Sequence, residues 1–330
     1  MATHAFSLHN NTLILHKMNT IGIDMSKDTF HAAFDATEVV IFKNTIQGID
    51  EFMSALIDRG CLKNDTKIGT EATGVYHLMF CERLRFAGWH VNVINPLITY
   101  RMFRSTIRHA KTDHNDALAI RKTMLTGAGY LYTDTPEILA LKTIVQERMV
   151  LSRMRAETKQ RVHAHQIRAK AAGLELHDSF GGTIKILSYE LREIEKKMGG
   201  YASETQKLLR SIPGIGPVTA ASLVAYIGDV HRFSSPEKLV AYIGLDCRVY
   251  ESGTSVHGKG RLTKRGSGYL RFILYNAAFV AQRMNPELRH YLEKKMSEGK
   301  HYTSALCAVE RKLVHLIYAV WRRGTPFEKR

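Results

Sequence analysis

Four carboxylates and one serine, far apart along the chain, carry the chemistry this sequence can do. The acids are Asp24 in TIGIDMSKDTF, Glu71 in KIGTEATGVYH, and Asp113 and Asp116 in KTDHNDALAI. The serine is Ser252 in RVYESGTSVHGKGRLTKRGSGYLR. Acids at the ends of two apolar strands, joined by a D-x-x-D at a helix start, suit hard divalent cations such as Mg²⁺. Two such ions about 4 Å apart can clamp a phosphodiester between them. A serine in a Gly-rich basic segment can attack phosphorus, provided that a base or a metal activates its weakly nucleophilic hydroxyl.

Each residue also has an ordinary explanation. Asp113 at an N-cap with Asp116 at N3 reads as a capping box on a helix whose dipole favours acids. Glu71 fits a plain strand end, and Ser252 is one of several hydroxyls in its loop, with Thr254 and Ser255 as neighbours. Asp24 is harder to set aside, because an unpaired carboxylate inside an apolar strand is costly. Strand alternation adds a second signal: Asp24 shares its face with Gly22, and Glu71 with Gly69. Both acids therefore have a neighbour without a side chain, which predicts room for ions or a phosphate backbone. Lys259, Arg261, Lys264, Arg265 and Arg271 follow Ser252 and can hold phosphates, with or without chemistry at the serine.

Composition agrees on the partner. Of the 330 residues, 47 are Lys or Arg against 31 Asp or Glu, a net charge of +16 that favours a nucleic acid over a small metabolite. No apolar run approaches the roughly 20 residues of a membrane span. The four cysteines, Cys61, Cys81, Cys247 and Cys307, include no C-x-x-C pair. That argues against structural zinc or a disulfide framework and fits a reducing cytoplasm. His163 and His165, two apart, point to different sides of a helix and are poor co-ligands.

These residues need a scaffold, and the pattern supplies an α/β part followed by an all-α part. Residues 1–19 read as an extension rather than a signal peptide. Over 20–134, TIGIDM, TFHAAFD and EVVIFK predict an antiparallel meander. A helix with Phe52, Leu56 and Ile57 on one stripe, the strand KIGTEA, a helix ending at Gly88 and the strand HVNVIN stopped by Pro96 follow. Three antiparallel strands and then alternating β and α is the order of a ribonuclease-H-like sheet. Over 135–205, Thr135 and Pro136 open a very long helix that runs to Gly173. A second helix carries Leu187, Leu191, Ile194 and Met198 at helical spacing, so the pair predicts a coiled-coil arm, with a plain bundle as the alternative. Over 206–330 the chain reads as helical. In it SIPGIGPVTA resembles a helix-hairpin-helix turn, whose Gly214 and Gly216 would free backbone N–H groups for a phosphate. A helix that simply ends and restarts is the other reading.

Taken in order, GIDMSK, TEATGVY, VINP, KTDHNDA, SIPGIG, AYIG and YESGTSVHGKGRLTKRG resemble one family of transposases. This is the insertion-sequence family one-ten, the bridge-RNA-guided enzymes with an N-terminal RuvC-like domain and a C-terminal serine domain. The resemblance runs from Ile21 to about Phe327. It implies that Asp24, Glu71, Asp113 and Asp116 are the metal-binding acids and that Ser252 forms a 5′-phosphoserine link with DNA. It also implies a coiled coil between the domains, dimers and a tetramer, and a composite site in which acids of one protomer face the serine of another. A structured non-coding RNA would pair with donor and target DNA, and exchange would pass through a Holliday junction inside a bacterial or archaeal cell. The residues alone leave two other functions open: a Mg²⁺-dependent junction nuclease using water, and a non-catalytic nucleic-acid-binding protein.

Overall fold

The computed structural model describes residues 19–328 except 73, 105–111, 176–179, 202, 249–250, 253–255 and 258–260; at 103–104, 248, 251–252, 256–257 and 261 it describes the backbone alone. The chain divides into two compact units, Met1–Tyr132 and Thr133–Arg330.

The first unit is a mixed α/β layer structure. Its elements are β1 (Asn19–Met25), β2 (Thr29–Ala33), β3 (Val39–Lys43), α1 (Ile46–Asp58), β4 (Thr66–Glu71), α2 (His77–Phe86), β5 (Val91–Ile94), α3 (Pro96–Arg104), α4 (Asp113–Leu125) and β6 (Tyr130–Leu131). The six strands form one sheet in the order β3-β2-β1-β4-β5-β6. The expected meander is present, with β1–β2 and β2–β3 antiparallel, and β4 and β5 then join in parallel. Strand period sorts the side chains. Ile21, Ile23, Phe30, Ala32, Ile68, Val91 and Val93 share a core with Ile49, Phe52 and Leu56 of α1 and Phe80 and Leu84 of α2. The rings of Phe30 and Phe80 meet edge to face at 5.1 Å, an arrangement aromatic quadrupoles favour. Ile57, expected on the same stripe, is instead 64% exposed. It lies about 100° round the helix from Leu56, past the edge of the stripe that the sheet covers.

The opposite face of the sheet carries Gly22, Asp24, His31, Gly69 and Glu71, and here α4 crosses. A Cβ at Gly22 would stand 2.3 Å from both the Ala117 carbonyl oxygen and the Arg121 nitrogen of α4; one at Gly69 would stand 2.3 Å from the Met124 side chain. The space beside the two acids is therefore not kept for ions or a phosphate backbone, as the alternation predicted: it is filled by the helix. The glycines let α4 lie against the sheet, with Ala117, Ile120 and Met124 buried. The two positions should respond differently. Gly22→Ala meets backbone and should lower the stability of this unit by about 3 kcal/mol. Gly69→Ala meets the Cγ and sulfur of the Met124 side chain rather than backbone; an unbranched methionine can change rotamer, so this should cost less than about 1.5 kcal/mol. Urea unfolding of the two variants checks this, and equal losses would contradict it.

The second unit comprises α5 (Pro136–Ala172), α6 (Gly181–Gly200), α7 (Glu204–Leu209), α8 (Pro217–Ile227), a 3₁₀ turn (Val230–Arg232), α9 (Pro236–Ile243), β7 (Cys247–Arg248), β8 (Glu251–Ser252), β9 (Val256–His257), β10 (Arg261–Leu262), α10 (Gly268–Met284), α11 (Pro286–Ser297) and α12 (Tyr302–Arg323). Helix α5 starts as the sequence predicts, with the Thr135 hydroxyl accepting from the Ile138 N–H and Pro136 in the first turn, and it ends at Gly173 in a left-handed conformation. α6 runs back along it: Arg148 pairs with Glu195, and His165 stacks near Phe180. Leu187, Leu191, Ile194 and Met198 are the buried residues of α6. Leu141, Val145, Ile194 and Met198 belong to the same core as α8, α9, α10 and α12. Among the described residues no helix is long and apolar enough to cross a membrane.

Candidate active site

Asp24 and Glu71 leave the sheet side by side. β1 and β4 are parallel with Ile23 opposite Thr70, so the next residue of each strand carries its carboxylate out of the same end and onto the same face. α4 delivers the other two acids. Its N-cap is Thr112, whose hydroxyl accepts from the Asn115 N–H; Asp113 is the first helical residue and Asp116 the fourth. The N-cap thus falls one residue before the expected Asp113, because threonine caps as aspartate does. Both carboxylates remain in the first turn, where the helix dipole favours them. Asp113, Asp116, Ala117, Ile120 and Met124 follow the spacing of a single helical face. Its buried end rests over Gly22 and Gly69, and its acidic end reaches the neighbourhood of Asp24.

Electrostatics records that convergence. The Asp24 carboxyl is pushed up to about 7, first by burial and then by the negative charges of Asp116, Asp113 and Glu71. Two further side chains belong to this neighbourhood. Glu71 Oε2 accepts a 2.6 Å hydrogen bond from the Thr99 hydroxyl, and Thr99 is buried on α3. His31 stands opposite Asp24 across the β1–β2 ladder, with its Nδ1 4.0 Å from Asp113 Oδ2. Sequence reading missed both. The signal for α3 was Pro96, taken as the stop of a strand when it also starts a helix. The signal for His31 was a polar residue between Phe30 and Ala32 in an otherwise apolar strand.

A divalent cation fits these residues chemically. All four acids offer hard oxygen donors, and a cation would offset both the burial and the repulsion that keep Asp24 from ionising. Among the described residues no three His, Cys, Asp or Glu side chains already enclose a single point.

The second unit holds Ser252 at the end of β8, paired with Val256 of β9. This two-residue ladder continues a chain path begun by β7, which pairs with β10, so the expected loop contains short hairpin ladders. Their brevity explains why no alternation announced them. Lys259, Thr254 and Ser255 lie outside the described residues, and Ser252 and Arg261 are described by their backbone. Lys264 and Arg265 are exposed at the root, where Lys264 adopts a left-handed φ of 53°. The root is tied down by Thr263, which hydrogen-bonds to the Asp246 carboxylate, and by Lys264 N–H donating to the Gly244 carbonyl at 3.1 Å. Arg271, expected to hold phosphate, donates through Nη1 to the carbonyls of Ile243 at 3.0 Å and Gly266 at 2.8 Å. It therefore braces this root. It also acts on Glu310, a buried carboxyl pushed up to about 8 by desolvation.

At SIPGIG, Gly214 has a left-handed φ of 90°. A Cβ there would stand 2.6 Å from the Ala277 carbonyl oxygen, so the turn packs tightly on α10. Gly216 is the N-cap of α8 and Pro217 follows in its first turn. A cavity of about 630 Å³ opens here, lined by Arg210, Gly214, Gly216, Thr219 and Asn276 among others.

An acid-bearing six-stranded mixed sheet of this order is consistent with the ribonuclease-H-like domain of DEDD transposases, and residues 21–166 match the IS110-type DEDD transposase family model. Residues 206–293 match a second model, described as the transposase IS116/IS110/IS902 family, so both parts of the chain are similar to insertion-sequence transposases. It is similar to the pilin gene-inverting protein of Moraxella lacunata, 26% identical over 94% of this chain and 98% of the relative. Its counterpart in Moraxella bovis is 27% identical over the same shares. The transposase for insertion sequence element IS1328 of Yersinia enterocolitica is 24% identical, again over 94% and 98%. DEDD domains of this class typically act with divalent metal ions, and transposases act on DNA.

Proposed function

We propose that this transposase cuts and rejoins donor and target DNA through a covalent 5′-phosphoserine at Ser252, with Asp24, Glu71, Asp113 and Asp116 holding Mg²⁺ at the reacting phosphate. The observation that carries the reading is Asp24, a carboxyl held near neutrality by burial and by the other three acids. Bound divalent ions would polarise the phosphate and ease loss of the serine proton. Ser252 Oγ bonds to phosphorus as the P–O3′ bond breaks, the serine proton passes to solvent, and the departing 3′ oxygen takes up a proton. Attack by the 3′ hydroxyl of the exchanging strand then forms the new diester and returns a proton to Ser252. The diester count is conserved, so strands exchange without an external energy source. A relative named for inverting a pilin gene supports recombination as the outcome.

The basic residues have the complementary task. Lys259, Arg261, Lys264 and Arg265 hold phosphates around the serine, and Gly214 and Gly216 present the first-turn amides of α8 to a further one. Arg271 acts by fixing the hairpin root. The α5–α6 pair serves as the coiled-coil arm through which protomers assemble, and sequence choice lies in a structured bridge RNA, as the family resemblance implies. The site of action is the cytoplasm, at the nucleoid. Replacing Lys259, Arg261, Lys264 and Arg265 together by Gln should reduce the slope of log K against log salt by about 3 to 4. Sequence choice should change little, because phosphate contacts position without specifying; an unaltered slope would contradict the assignment. The reading as a whole is tested by incubating the protein with its element's non-coding RNA, donor DNA and target DNA. Joined products that require the RNA are expected; RNA-independent nicking with no joined product would overturn it.

A further inference from the structure

We propose that His31 is a fifth member of the acid cluster, giving an imidazole nitrogen to a divalent cation held with Asp24 and Asp113. The inference rests on the metal-binding reading of the four acids. β2 places His31 directly opposite Asp24, and residues so paired project from the same face with Cβ atoms roughly 4.5–5.5 Å apart. Its strand neighbours Phe30 and Ala32 are buried in the core on the other face, which fixes the side from which the imidazole emerges. The ring is mostly covered, at 14% exposure, and its Nδ1 lies 4.0 Å from Asp113 Oδ2. That separation is too long for a hydrogen bond. It suits two donors of one ion, since ligands each about 2.0–2.2 Å from a shared cation lie roughly 3–4.4 Å apart. A fifth carboxylate in place of the imidazole would add another negative charge beside Asp24. Imidazole is neutral, and its softer nitrogen shifts preference away from Mg²⁺ toward divalent transition ions, of which Mn²⁺, at the weak-binding start of the series, serves as the paramagnetic probe.

The test uses the full-length protein, without nucleic acid, titrated with Mn²⁺ and examined by pulsed electron paramagnetic resonance for coupling to ¹⁴N. Wild type should show nitrogen coupling. His31→Gln should still bind Mn²⁺, about ten-fold or more weakly, and lose the coupling. His114→Gln, which changes the exposed histidine beside Asp113, should keep it. Thermal melts of His31→Gln and His31→Asn establish that loss of coupling is not loss of fold, and both should melt near wild type. Mn²⁺ bound by wild type without nitrogen coupling, or coupling that survives in both His31 variants, would overturn the proposal and leave an all-oxygen site. If wild type and Asp24→Asn bind Mn²⁺ equally poorly, the metal-binding reading of the acids fails, and His31 with it.

Discussion

Asp24→Asn should abolish recombination and, without metal, make the protein more stable at neutral pH than the wild type. The first effect follows if the acids stabilise charge that develops in the transition state; loss of one such group costs at least two to three orders of magnitude in rate. The second follows from linkage. The folded-state carboxyl is pushed up to about 7 from an ordinary value of 3.8, so between these values the folded protein binds more protons than the unfolded chain. Stability contributed by the protonated form is full below about pH 4, declines as pH rises through about 7, and is flat above. Allowing for the partial exposure of Asp24, the difference at pH 8 is about 2 kcal/mol. Asn keeps the shape and removes the charge, so its melting temperature should exceed that of the wild type by roughly 5–10 °C and lose the slope between pH 4 and 7. Mg²⁺ should raise the melting temperature of the wild type by mass action and leave Asp24→Asn almost unmoved. A variant that recombines normally, or that is destabilised at pH 8, would remove Asp24 from the site.

Ser252→Ala should bind RNA and both DNAs with near-wild-type affinity and yet form no covalent protein–DNA adduct, a loss of at least about a thousand-fold. A small side chain at a hairpin end contributes little to folding, so the variant isolates chemistry from assembly. Ser255→Ala is the control, and its adduct should survive. On a denaturing gel with end-labelled DNA, the labelled protein band reads both outcomes at once. Cleavage that persists in Ser252→Ala would mean that water is the nucleophile and the acids alone carry the reaction. Loss of the adduct in Ser255→Ala with retention in Ser252→Ala would place the nucleophile three residues further on.

Much of the scaffold was legible because its signals are local. Period-two alternation announces the three meander strands, and their antiparallel pairing follows from the short turns between them. Thr135-Pro136 and Gly173 bracket α5 as cap and stop. Asp24 stood out as well, since a carboxylate in GIDMS conflicts with its apolar strand, whereas its nearness to Glu71, Asp113 and Asp116 comes from the fold. The departures have a common cause: a sequence shows what a residue lacks before it shows what fills the gap. Gly22 and Gly69 signal an absent side chain, and only the tertiary fold reveals that the backbone of α4 and Met124 occupy the space. The same packing brings Asp113 and Asp116 to Asp24 across some ninety residues of chain. Arg271 reads as a phosphate ligand by charge and position, and only the fold shows its guanidinium on the carbonyls of Ile243 and Gly266. His31 acquires meaning from a cross-strand partner, which no spacing along the chain encodes.

Mass spectrometry of the trapped protein shows whether acids and serine act together in one phosphoryl-transfer reaction. Wild-type protein is incubated with bridge RNA, DNA and Mg²⁺, denatured, and digested with nuclease and protease. Residual nucleotide mass is expected on the peptide carrying Ser252, absent when EDTA replaces Mg²⁺ and absent in Asp24→Asn. Cleaved DNA with free 5′-phosphate ends and an unmodified Ser252 peptide, or an adduct that forms equally well in EDTA, would contradict it.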